Sequence, residues 1–77
     1  MEAASAHDRY IELLLERVRD DRYPSGELMD RLEAGIARPE HAQQYFELLM
    51  EKAGESRFPS KQMLDRIERL APGRRPG

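Results

Sequence analysis

The chain has no cysteine. No disulfide can staple it and no thiolate can ligate a metal, so side-chain packing must supply the stability. It has no basic excess either: thirteen Lys and Arg stand against fifteen Asp and Glu, a net charge of −2. That balance argues against a general nucleic-acid binder, which carries a basic field. No apolar run approaches the ~20 residues that span a bilayer. The opening "MEAASAHD" has neither the basic start nor the apolar stretch of a secretory signal. Membrane association is not expected, and the cytoplasm is the expected location. Strand signals are missing throughout. Also missing are a Gly-rich phosphate loop, a nucleophile elbow and a Ser/His/Asp pattern. Four short helices leave little volume for a catalytic pocket, so no enzyme activity, no catalytic residue and no cofactor are expected.

What is present is a repeat. "RYPSGELMDRLE" at Arg22–Glu33 returns as "RFPSKQMLDRIE" at Arg57–Glu68. Laid over itself at an offset of 35 without a gap, Tyr10–Ile36 matches Tyr45–Ala71 at eleven of twenty-seven positions. Many of the others are conservative, such as Tyr23/Phe58 and Leu32/Ile67. A period of this size signals tandem supersecondary units. In 77 residues they make one domain, residues 1–71, with repeat one at about 5–37 and repeat two at about 38–71. The "APGRRPG" end is expected to be disordered over residues 72–77. A domain this small buries only about 60 % of its unfolded surface, so its stability should be modest. Arginine outnumbers lysine eleven to two, which reads as the codon bias of a GC-rich, bacterial genome.

Each unit reads as helix, tight turn, helix. Tyr10, Ile11, Leu13, Leu14, Leu15 and Val18 recur at helical spacing. Ser5 suits the N-cap, with Asp8 as a capping-box partner. The helix should end near Asp20, because Pro24 removes an N–H and biases Tyr23 to extended backbone. Ser25 then caps a second helix striped by Leu28, Met29, Leu32 and Ile36. Gly35 suits its stop, and Pro39 the first turn of a third helix. Repeat two follows suit, with Tyr45 to Ala53 on one helix, Gly54 near its end, Pro59 and Ser60 at the break, and Met63, Leu64, Ile67 and Leu70 on the last helix. The elbow aromatics Tyr23 and Phe58 are expected to plug the gap where the helices diverge. The fold class is therefore all-α: four short helices as two helix-turn-helix hairpins of period 35, packed with pseudo-two-fold symmetry into one small bundle. The period resembles that of tetratricopeptide and pentatricopeptide repeats, which also stack helical hairpins. The Trp, Leu-Gly, Tyr, Ala and Phe signature of the former is not present, so the likeness is one of architecture.

On a helical wheel the apolar residues of the first and third helices sweep about 200°, roughly twice the usual core-facing stripe. Both helices therefore need two apolar neighbours. One is the hairpin partner. The other is the opposite repeat, or a surface formed by Ile11, Leu15, Phe46 and Met50 and left to a partner. These four are the candidate partner-binding residues, because exposed apolar patches mark interaction sites and aromatic and Met side chains favour interface cores.

The recurring polar residues are Glu12/Glu47, Glu16/Glu51, Arg22/Arg57, Asp30/Asp65, Arg31/Arg66 and Glu33/Glu68. Like charges four apart cost about 0.2–0.5 kcal/mol, so Arg22 and Arg57 are candidates to fold back over the Glu pairs, which otherwise sit solvated. The Glu pairs point away from the apolar arc and lack a Glu-x-x-His companion, so no metal site is expected. His41 should border the core, and His7 lies near the N-terminus. The expectation is a small non-catalytic protein-protein interaction module, a regulator or accessory subunit, with a protein partner or weak self-association. The alternative is a helix-turn-helix nucleic-acid-binding protein. Against it, "SGELMDRLEAG" is acidic where a DNA reader carries basic and amide groups.

Overall fold

The computed structural model describes residues 5–71. The expected disordered tail from Pro72 onward lies outside the described residues. Four helices and no strands are found among them: α1 (Ala6–Asp20), α2 (Gly26–Gly35), α3 (Pro39–Glu55) and α4 (Lys61–Leu70). Three start as their sequences require, with a serine hydroxyl accepting the N–H three residues on. Ser5 takes Asp8, Ser25 takes Leu28 and Ser60 takes Met63, at 3.0, 3.1 and 3.0 Å. Helix α3 instead starts on Pro39, with Arg38 ahead of it and no side-chain cap. The Asp8 carboxylate is held chiefly by Arg38, in a two-point bridge of 3.0 and 2.9 Å.

Helix α1 packs on α2 and on α3, and α3 packs on α4. The two helices with broad apolar arcs are thus the two with two helical neighbours. The molecule measures 42 × 31 × 19 Å, about two helices thick at interaxial distances of 8–10 Å. The core is Ile11, Leu14, Leu15 and Val18 of α1, Met29 and Leu32 of α2, and Tyr45 and Leu49 of α3. Helix α4 contributes no fully buried residue; Met63, Ile67 and Leu70 pack half-buried against this core. Gly35 lets α2 approach α1 closely, since a Cβ there would meet Ile11 Cδ1 at 3.0 Å.

Several pairs of residues that correspond at the offset of 35 do not share environments, although Leu14 and Leu49 are both buried. Tyr45 is fully buried, while Tyr10 is 42 % exposed. Leu15 is buried and Met50 exposed; Met29 is buried and Leu64 exposed. Arg66 is almost enclosed and Arg31 is open to solvent. The equal burial of equivalent residues that a two-fold axis requires is not found.

The elbows also differ from expectation. Tyr23 and Phe58 plug nothing: they are 78 % and 83 % exposed. Pro24 is the buried elbow residue, and Pro59 is half-buried. In the first elbow the Tyr23 N–H donates to Asp21 Oδ1 at 3.0 Å, an Asx turn that sets the local chain path. Truncation of either aromatic to Ala is expected to change stability by no more than about 0.5 kcal/mol in urea denaturation, as at other open surface positions.

Candidate functional site

Of the four residues expected at a partner surface, Ile11 and Leu15 are core residues instead. Ile11 lies against Gly35 of α2, and Leu15 lines a seam groove of about 270 Å³ together with Leu48 of α3. Phe46 is half-buried and Met50 is 46 % exposed. One edge of the α1 arc, Tyr10 and Leu13, is exposed. Sequence reasoning included both in the arc but did not select them. The signal was available: they are the repeat-one counterparts of Tyr45 and Leu48.

The exposed large apolar residues therefore form three groups. Tyr10 and Leu13 lie on α1, at the outer side of repeat one. Met50 and Leu64 lie on α3 and α4, in repeat two. Tyr23 and Phe58 occupy the elbows. Leu13 of the first group lines a groove of about 580 Å³ together with Leu14, Arg17, Asp20, Asp21, Arg22 and Leu28. Arg22 lies over the Tyr23 ring, 5.8 Å from its centre, rather than over Glu12 and Glu16. Arg57 is exposed and likewise makes no ion pair among the described residues.

A polar hub joins the repeats. Glu33 of α2 accepts from Tyr45 Oη at 2.5 Å, from Arg66 at 2.6 Å and from Arg69 at 3.1 Å. Arg66 also bridges to Asp30 at 2.9 Å. One side chain of α4 thus bridges two carboxylates of α2 and ties together two helices whose backbones do not meet. Burial alone pushes the Glu33 carboxyl up. The hydrogen bonds from Tyr45 and Arg66, with the charge of Arg66, outweigh it and hold the group below its ordinary value. Burial first, and then Glu33, pushes the Tyr45 hydroxyl well up. Burial pulls the Arg66 guanidinium down, but Glu33 and Asp30 more than compensate. The Arg66 Nε–H has no acceptor among the described residues.

In repeat one the counterparts of Tyr45 and Arg66 are Tyr10 and Arg31. Arg31 bridges to Glu27 at 3.0 Å, and Glu27 first, then the Tyr10 hydroxyl, raise its guanidinium above its ordinary value. The counterpart of Glu33 is Glu68, exposed and without an ion pair among the described residues, beside half-buried Asp65, which pairs with Lys61.

Three other contacts cross the repeat boundary. Lys52 Nζ donates to the Arg19 and Asp21 carbonyls at 3.1 and 2.8 Å, capping the C-terminus of α1. Arg38 bridges to Asp8, and buried His41 lies 3.5 Å from Glu12. Glu16 and Glu51 are solvated, and Glu47 accepts only from Gln43. Among the described residues no group of three or more His, Asp or Glu is placed to hold a metal ion, and no helix is long and apolar enough to cross a membrane. No protein family, no characterised protein and no solved structure matches this chain.

Proposed function

We propose that this protein is a small non-catalytic interaction module, a regulator or accessory subunit, built from two duplicated hairpins. The exposed apolar residues of repeat two carry the reading. Met50 on α3, with half-buried Phe46 one turn before it, and Leu64 on α4, the helix packed on α3, are large apolar side chains left open on helices that also carry exposed Glu47, Glu51 and Glu68. Exposed apolar surface on a small domain marks a docking site.

The unequal burial of equivalent residues favours hairpins stacked in the same sense, not facing each other across a two-fold axis. In that arrangement each hairpin presents a leading side and a trailing side, and the inner pair is buried. Helix–turn–helix reading of DNA is less well supported, because the basic side chains of α4 are committed to acids. Lys61 pairs with Asp65 at 2.9 Å, Arg66 with Glu33 and Asp30, and Arg69 with Glu33.

Affinity capture with wild type and Met50→Glu tests the proposal. The variant is expected to keep the helical circular-dichroism spectrum and lose the captured protein. Undiminished capture by Met50→Glu would place the interface elsewhere.

A further inference from the structure

We infer that the partner of the trailing side is the leading side of a second copy of this chain, docked as repeat two docks on repeat one. The inference rests on the interaction reading above and names its partner. Its template is the boundary inside the molecule, translated by the offset of 35.

At the inner boundary Leu15 and Leu48 line one seam. Their counterparts are Met50 on the trailing side and Leu13 on the leading side, and both are exposed, at 46 % and 51 %. At the same boundary Glu33 receives Tyr45 and Arg66. The counterparts are Glu68 on the trailing side, and Tyr10 and Arg31 on the leading side. Glu68 is exposed with no ion pair among the described residues. Tyr10 is exposed beside Arg31. Lys52 caps the carbonyls of Arg19 and Asp21. Its counterpart Arg17 lines the open groove of repeat one, where the carbonyl end of a second copy's α3 would lie.

Both the apolar and the charged elements thus find mates of the right kind. Of the charged groups, Arg17 and Glu68 make no ion pair among the described residues, while Arg31 bridges to Glu27 at 3.0 Å and would divide itself between Glu27 and a second copy's Glu68, as Arg66 divides itself between Asp30 and Glu33. This is a heterologous, head-to-tail contact, which extends into open chains unless its rotation closes a ring. It is also weaker than the inner boundary. His41 and Arg69 have alanine counterparts, Ala6 and Ala34, and the Asp8 bridge to Arg38 maps its acid onto Gln43. The covalent link that raises the effective concentration of the inner pair is absent as well.

The test uses two full-length variants at exposed positions. Leu13→Glu removes the leading side and Met50→Glu the trailing side. Light scattering after size exclusion, over a wide concentration range, should show wild-type mass rising above one chain. Each variant alone should weaken association roughly tenfold or more. Mixed, they should form a one-to-one heterodimer, since each supplies the side the other lacks. An Arg31→Glu chain mixed with Glu68→Arg should behave the same way, and high salt should weaken every form.

A symmetric dimer would leave one of the two variants dimeric and would overturn the proposal. So would a mixture that stays monomeric while wild type associates. A wild-type chain that is monomeric throughout also overturns it. In that case the Met50→Glu capture experiment separates the two readings: Met50-dependent retention of another protein keeps the interaction module, and no retention ends both.

Discussion

An Ile11→Glu chain is expected to be largely unfolded in plain buffer, while Met50→Glu keeps its helical spectrum and its urea midpoint. Both residues look alike in the sequence, on the broad arcs of α1 and α3. Ile11 is fully enclosed among the core residues of three helices. Truncating a buried isoleucine to Ala costs about 2–5 kcal/mol through lost burial and the cavity left behind. Glu places an ionisable group inside that core, and its desolvation costs several kcal/mol more or forces it neutral. The whole stability of a domain this long is roughly 4–11 kcal/mol. The sum therefore meets or exceeds what the fold has. Leu15→Glu should behave the same way. Met50 is half open, Glu is as good a helix former as Met, and like charges nearby cost only tenths, so its effect stays within about 0.5 kcal/mol. Far-ultraviolet circular dichroism and urea titration read both. A folded Ile11→Glu chain would mean that position 11 is not enclosed by the core.

Glu33→Gln is expected to destabilise the domain by about 2–4 kcal/mol, because it strips Arg66 of its inner counter-charge. For a domain of this size that lowers Tm by about 10 °C or more. Arg66 is almost enclosed and retains only Asp30, which is largely solvated. Tyr45 loses a charged acceptor at the same time. Replacing both partners, Glu33→Leu with Arg66→Met, should come closer to wild type than Glu33→Gln alone, because no charge is then left buried without its mate. A Glu33→Gln chain as stable as wild type would mean that Asp30 and solvent suffice for Arg66.

The same hub gives the protein an acid limb. Glu33 is held below its ordinary value of 4.5 in the folded state. It therefore contributes fully above that value, and its contribution is lost as pH falls through the depressed one. Asp8 shifts in the same direction: burial alone would raise it, but the bridge from Arg38 lowers it. Stability should decline below about pH 5, and Glu33→Gln should flatten that decline.

The helix ends were legible because capping is local. A serine hydroxyl reaches the N–H three residues on whatever lies beyond, so Ser5, Ser25 and Ser60 each mark a start. Pro39 and the elbow prolines act through their own dihedrals and missing N–H groups. The repeat was legible for the same reason, as it is a property of the residue string. Even the number of neighbours could be read, because an arc about 200° wide on α1 and α3 cannot be covered by one helix.

Which edge of that arc is buried could not be read. Tyr10 and Tyr45 sit in nearly the same sequence, and only tertiary packing decides that Tyr45 meets Glu33 while Tyr10 is 42 % exposed. The elbow aromatics are a smaller case of the same limit. The turn places Pro24 inward, and Tyr23 is left outside. The Glu33–Arg66 hub left no periodic trace, because its members stand 33 residues apart on helices whose backbones do not touch. Local chemistry set where each helix begins and ends. Tertiary packing decided which of two equivalent faces became core and which remained a surface.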